Sequence, residues 1–300
     1  RVVGLLWVIT DDDREANARR VLSDAAPEVA VELQRHLTAD TSRASDRRTA
    51  ARQMLDGHPV RSIADLLGAP PVGGYLAVLV RPVGTAPGEI DAMARTAQLA
   101  TVYVDAYRVP ALVAPVGGAQ VELVVALTAT TTAERARGLL DELAARTRAT
   151  FGIEVRCAMG TVAATARELP ASRRDALAVL DLLVDGDGDG PATASYDEVR
   201  VAVGLQELLQ QARFSDHLTR GPVVDLASEA GRNSTQLVDT VRSFLGAGGD
   251  VTRTASAIGV HRNTVRYRVQ RFEELTGTDL SDPDQRLVTE IQLRATMPPG

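Results

Sequence analysis

Apolar and polar residues repeat along this chain with two periods, and the period in force divides it into segments. Val2–Thr10 is a short apolar run that stops at Asp11-Asp12-Asp13, and Ala, Val and Leu at helical spacing predict a helix from about Arg14 to Leu37. Aspartates at its start suit an N-cap and the positive end of a helix dipole. Thr38–Arg48 is polar and reads as a linker or an exposed helical segment. Ser62–Gly68 has the form of the first half of a helix-turn-helix, but Ala69-Pro70-Pro71 forbids an immediate second helix, so a packing helix ending at Gly68 is expected. From Gly73 to about Glu198 strands and helices alternate. Tyr75–Val80 reads as a strand and Glu89–Tyr107 as a helix; Ala111–Pro115 and Val121–Leu127 read as strands joined by a glycine hairpin. Thr132–Thr150 is a helix, Ile153–Met159 a strand and Ser172–Leu183 a helix. The order βαββαβ predicts an α+β domain, a sheet backed by helices in a ferredoxin-like or cyclase-like arrangement. Beyond residue 200 the spacing is helical throughout, over Val201–Gln211, around Pro222–Glu229, and over Gln236–Leu245 and Pro283–Ala295. Leu237, Val241, Phe244 and Leu245 are expected to bury there, with Leu287, Val288 and Ile291 closing the fold.

Within that helical region, Asp250–Thr276 is the most constrained stretch. Ala255 is small where a second helix must cross, Gly259 four residues on can take the positive φ of a sharp turn, and Val265 six beyond is an apolar peg. That spacing describes a helix-turn-helix, whose second helix lies in the DNA major groove. At 100° per residue, Val265, Val269 and Phe272 share the inward side with Leu275 at its margin, while Asn263, Arg266, Tyr267 and Gln270 project the other way. Arg262 and Thr264 fall in the first turn, the part of a recognition helix that reaches base edges. Arg268 lies nearer the packed side, as a phosphate or salt-bridge residue would, and His261 in the turn suits a cap or a phosphate contact equally well. The candidate DNA-contacting set is therefore Thr252, Arg253, His261, Arg262, Asn263, Thr264, Arg266, Tyr267, Arg268 and Gln270. The plain alternative is a helical hairpin whose basic face is merely solvated.

Charge bears on that choice. Between Val251 and Phe272 there are five arginines and no Asp or Glu, which leaves −11 for the remainder of a chain whose formal net charge is −6. A cationic island in an acidic protein is the footprint of a phosphate-binding element. Every one of the 33 basic residues is arginine, so P-loop lysines, Schiff bases and Ser–Lys dyads are excluded. The four histidines, His36, His58, His217 and His261, have no metal-ligand spacing, and no Gly-x-Ser-x-Gly elbow occurs. Asp185–Gly190 begins like a calcium loop, but Tyr196 stands where a bidentate glutamate belongs, and an acidic surface loop is expected. Cys157, the single cysteine, reads as a small buried side chain, and no internal disulfide is possible, which fits a reducing cytoplasm. No apolar run approaches the roughly 18 residues of a membrane span, and no signal peptide is legible. No catalytic residue, cofactor or metal is expected. At 300 residues, 45% of them hydrophobic, about two domains with real cores are expected.

Here a family resemblance enters. Gly248-Gly249-Asp250, His261-Arg262-Asn263-Thr264-Val265-Arg266-Tyr267-Arg268, Glu274-Leu275-Thr276-Gly277, Asp279-Leu280 and Pro283 with Arg286-Leu287, all within Leu237–Leu293, resemble the C-terminal domain of PucR/CdaR-type bacterial transcriptional regulators. Gly117-Gly118-Ala119-Gln120-Val121 resembles the Gly-Gly-Asp/Glu-Glu-Phe hairpin of diguanylate cyclases with both carboxylates replaced, and neutral Ala119 and Gln120 cannot supply the charge of a Mg²⁺ site. This resemblance implies the degenerate GGDEF-like domain of the same family, serving dimerisation and relay rather than catalysis. The strand and exit helix of residues 1–40, with the sole tryptophan Trp7 in their core, look like the tail of a GAF-type sensor domain, and a start at Arg1 rather than methionine is expected of a piece of a longer protein. The resulting expectation is a GAF-type tail over 1–40, a helical linker over 41–70, a GGDEF-like domain over 71–200 and an all-α DNA-binding domain over 201–300. The resemblance implies a homodimeric, cytoplasmic regulator of a catabolic or secondary-metabolic operon, binding double-stranded DNA in response to a small-molecule effector held by the N-terminal sensor region. Two alternatives stay open: a nucleotide-binding or cyclase-related signalling enzyme, and a scaffold or sensor that does not bind DNA.

Overall fold

The computed structural model describes residues 44–60, 63–68, 70–83, 89–116, 120–185, 190–229 and 231–296. The strand and helix expected over 2–37, the glycines of the 117–119 hairpin and most of the acidic loop after Asp185 lie outside those residues. The chain divides into two compact units: one runs to Leu180 and takes in Pro191–Tyr196, the other holds Asp181–Gly190 and Asp197 onward. No helix among the described residues is long and apolar enough to cross a membrane.

The first unit is built as its pattern predicts. After α1 (44–55) and α2 (Ile63–Leu67) come β1 (Tyr75–Val83), α3 (Glu89–Ala106), β2 (Ala111–Val116), β3 (Gln120–Ala126), α4 (Ala133–Phe151), β4 (Glu154–Ala163) and α5 (Leu169–Asp185). The short strand β5 (Thr193–Ser195) completes the sheet, whose order is β2-β3-β1-β4-β5. Neighbours are antiparallel except β4 and β5, so β1–α3–β2 and β3–α4–β4 are two interleaved crossovers, each skipping one strand.

One face of the sheet, with Leu76, Val78, Val80, Val121, Leu123 and Val125, packs on α3 and α4 through Ala100, Val104, Leu140 and Leu143. Cys157 lies in this layer, and burial pushes its thiol up to about 12. The opposite face, with Tyr75, Ala77, Leu112, Val124 and Ala126, is covered by Ala50, Ala51, Met54 and Leu55 of α1 and by Leu67 and Leu169. The stretch expected as a linker over 41–70 is thus a layer of the sheet unit. Its polar opening residues precede an inward strip of Ala50, Ala51, Met54 and Leu55. The packing helix expected up to Gly68 is present, ending at a glycine with φ of 71°.

Helix α5 shares that second face. The β1–β4 register slips between Leu76 and Val78, so Ala77 faces an extra residue on β4, and its N–H donates instead to Ser172 Oγ at 3.0 Å. Gly160 makes the approach possible, since a Cβ there would run into the Ser172 carbonyl.

The second unit is all-helical: α6 (Tyr196–Arg213, of which Asp197 onward belongs here), α7 (Pro222–Ser228), α8 (Arg232–Gly246), α9 (Val251–Ile258), α10 (Arg262–Thr276) and α11 (Pro283–Ala295). Its core joins Val223, Val238, Val241, Leu245, Phe272, Leu280 and Leu293. Two expected core assignments shift. Val238 is buried where Leu237 was expected, and α11 turns Thr289, Gln292, Leu293 and Ala295 inward while Leu287 and Val288 stay 57% and 43% exposed. The reason is that α11 carries Leu293 on a different side from Leu287, Val288 and Ile291, and its packing on α7 and α8 selects the side of Leu293. Arg242 fixes that choice by donating to the Leu293 carbonyl at 3.2 Å.

Candidate nucleic-acid interface

Helix α9 begins at Asp250, whose Oδ1 accepts from the backbone N–H groups of Thr252 at 2.7 Å and Arg253 at 3.0 Å. Those bonds, the Arg253 one foremost, hold the Asp250 carboxyl below the usual carboxylate range. The cap therefore persists at neutral pH and is lost only as acidity carries the solution down through that lowered value. Gly259 ends α9 in the left-handed region, φ 66°, with its N–H on the Ala255 carbonyl. Ala255 is buried beneath α10 and Val265 is fully buried, so the small–glycine–apolar spacing is realised at all three positions.

His261 caps α10. Its Nδ1 accepts from the Asn263 N–H at 3.2 Å, which settles the structural half of the expectation for this residue and leaves the ring exposed. Phe272 anchors the far end of the inward side, and Val269 packs partly against the same core. Leu275, expected at the margin of that side, is 46% exposed. On the outward side Arg262, Asn263, Arg266, Tyr267 and Gln270 are all exposed, and Thr252 and Arg253 are exposed at the start of α9. Thr264 is half-buried. An Arg–Asn–Arg–Tyr–Gln face held rigid from behind offers bidentate donors and mixed donor–acceptor amides to base edges, and cations to phosphates.

Arg268 stands apart from that group. Its guanidinium donates to Thr240 Oγ1 at 3.1 Å and Gln236 Oε1 at 2.9 Å, clasping α10 to α8. The partners are neutral side chains 28 and 32 residues away, so a charge count along the helix gave no sign of them. Arg271 pairs with Glu274 at 3.0 Å one turn on. A cleft of about 620 Å³ lies beside this clasp, lined by Asn233, Ser234 and Gln236 of α8 and by Tyr267, Arg268 and Arg271 of α10. The α8 residues on that wall escaped the sequence reading because they lie outside the helix-turn-helix spacing.

The hairpin position of the sheet unit is organised differently. Gln120 donates to the carboxylate of Glu122 at 2.7 Å and accepts from Arg81 at 3.0 Å, and Glu122, 1% exposed, is gripped by Arg173. The Glu122 carboxylate is thus neutralised by arginine rather than presented to a metal. Among the described residues no three His, Cys, Asp or Glu side chains converge as a metal's ligands would.

Comparison with known proteins gives two domain matches. Residues 237–295 match the PucR C-terminal helix-turn-helix domain, and residues 51–182 match a GGDEF-like domain. A protein encoded in the pkwA 5′ region of Thermomonospora curvata is 42% identical over 28% of this chain and 45% of its own length. The purine catabolism regulatory protein of Bacillus subtilis is 34% identical over 22% of this chain and 13% of that one. The carbohydrate diacid regulator of Escherichia coli is 46% identical over 14% of this chain and 11% of that one. The matches therefore span less than half the length of each of these curated relatives.

Proposed function

We propose that this chain, which carries a PucR-type helix-turn-helix domain behind a GGDEF-like one, is a cytoplasmic, sequence-specific transcriptional regulator that acts as a homodimer. What carries the reading is the outward side of α10, where Arg262, Asn263, Arg266, Tyr267 and Gln270 stand exposed on a helix pinned from behind by Val265 and Phe272. In the major groove, Arg262 and Asn263 read base edges from the first turn. Arg266 and Tyr267, with Thr252, Arg253 and His261 at the edge of the motif, hold the phosphate backbone. Arg268 acts indirectly, by setting the angle of α10 against α8. A small-molecule effector bound in the sensor region N-terminal to the sheet unit shifts the spacing of two recognition helices, and only one spacing fits half-sites about 34 Å apart. Two of the relatives are regulators named for purine catabolism and for carbohydrate diacids, which supports a catabolic operon as the target class.

The test is a gel-shift titration on operator sequences selected by footprinting the protein with and without candidate metabolites. Arg262→Ala is expected to weaken specific binding by about 1–3 kcal/mol and relax preference at one base position. Unchanged affinity and preference would remove Arg262 from the base-reading set. Arg266→Ala is expected to weaken all sequences alike and reduce the slope of log affinity against log salt by about 0.9. A slope that does not move would mean that Arg266 touches no phosphate.

A further inference from the structure

Helix α6 has two apolar sides, and the described residues cover one of them and only the end of the other. Val203 is buried on the first, and Ala212, about 180° away round the helix, is buried at the C-terminal end of the second. On the second, Val201, Leu205 and Leu208 repeat at intervals of four and three and are 79%, 38% and 45% exposed. A four–three repeat is the seam of two helices packed at a shallow crossing angle.

Gly204 lies beside Leu205 in this seam. It is exposed, in the middle of a helix, and a Cβ on it would meet nothing within 4 Å. Glycine there weakens the helix relative to alanine, and no neighbour among the described residues requires it. Close approach of a second helix does.

Charge says which helix. We infer that the occupant is α6 of a second copy of this chain, antiparallel to the first about a two-fold axis between Gly204 and Leu205. This inference rests on the homodimer reading above and assigns its seam. Antiparallel pairing sets Val201 against Leu208 of the other copy and Leu205 over the other Gly204, so the stripe is its own complement. Exposed Arg200 then falls within reach of exposed Glu207 of the second copy, both on the same flank of the seam. In-register parallel pairing would instead set Arg200 beside Leu205 and Glu207 beside Ala212 of the second copy, with no opposite charge facing either. One helix of 18 residues makes a small interface, below the roughly 1,200 Å² of a standard one, so the dimer is concentration-dependent and is tightened by DNA that engages both recognition helices.

Sedimentation velocity on the whole chain over a range of concentrations tests this. The wild type is expected to be a dimer and Leu205→Glu a monomer with the same circular dichroism spectrum and melting profile. A wild-type dimer whose Leu205→Glu variant stays dimeric would overturn the seam while leaving the dimer standing. A wild type that is monomeric at every concentration would overturn the dimer itself, and an α6 seam protected from hydrogen exchange in that monomer would identify another part of the chain as its cover. Orientation is read by mild oxidation, to which the buried Cys157 is silent. Val201→Cys chains mixed with Leu208→Cys chains are expected to cross-link, and Val201→Cys alone is not. Self-cross-linking at 201 would overturn the antiparallel arrangement.

Discussion

Arg173→Met is expected to destabilise the sheet unit by about 3 kcal/mol, read as a lowered denaturant midpoint with an unchanged slope. Glu122 is 1% exposed, and Arg173 supplies both of its charged bonds, Nε to Oε2 at 2.9 Å and Nη2 to Oε1 at 2.8 Å. The remaining Arg173 nitrogen donates to Asp56 at 3.2 Å, tying the end of α1 to α5 across the same face. The carboxylate in turn holds the Arg173 guanidinium more firmly protonated than usual, with their hydrogen bond as the leading cause. Methionine fills a similar volume but leaves a carboxylate buried with only the Gln120 amide for company. Breaking a buried pair from one side costs roughly 3–5 kcal/mol, and the low end applies because the Arg173 side chain is itself 26% exposed. Adding Glu122→Gln to Arg173→Met removes the stranded charge and is expected to recover most of the loss. If the double variant is no more stable than the single one, the penalty comes from lost packing rather than from the charge.

That network shows where sequence periodicity stops informing. Gln120 and Glu122 alternate with Val121 and Leu123, the pattern of a strand with one wet face, yet α1 and α5 cover the face they occupy. The partner that makes burial tolerable is 51 residues away, and no local rule links the two. The inward strip of α1 was missed for a related reason, since half of it, Ala50 and Ala51, is alanine, a weak core signal that nonetheless packs tightly against a sheet. Strand β5 has three residues, too few for any period to register. In α11 the helix was legible but its rotation was not, and in α8, where Val241, Phe244 and Leu245 reach the core as expected, only Leu237 gave way to Val238, because such neighbours differ only in what stands opposite. The βαββαβ order and the helix-turn-helix were legible because each rests on short-range constraints. For the latter, an aspartate cap, a small residue, a left-handed glycine and an apolar peg all lie within Asp250–Val265. Arg268 marks the boundary of that success. Its place near the packed side followed from helical geometry, and its partners on α8 did not.

Phe272→Ala is expected to cost the helical unit about 3–5 kcal/mol, the usual range for emptying a phenylalanine site in a closed core. Phe272 is fully buried in a core with Val223, Val238, Val241, Leu245, Leu280 and Leu293, so α7, α8, α10 and α11 all contribute to the layer that holds its ring. A loss of that size is a large part of the stability of a domain of roughly 100 residues. It is expected to appear as faster amide exchange across α8 and α10 together, because the ring joins those helices rather than bracing one. The consequence for DNA separates support from contact. Phe272 points away from the outward side, so at temperatures where the variant remains folded its affinity and salt slope should equal those of the wild type, and binding should fall only as the unit melts. Arg266→Ala has the opposite signature, a flatter salt slope at every temperature with the melting profile unchanged. If Phe272→Ala weakens binding well below its melting transition, the orientation of α10 depends on this ring, and Val265 with the Arg268 clasp is not enough to hold the recognition helix in place.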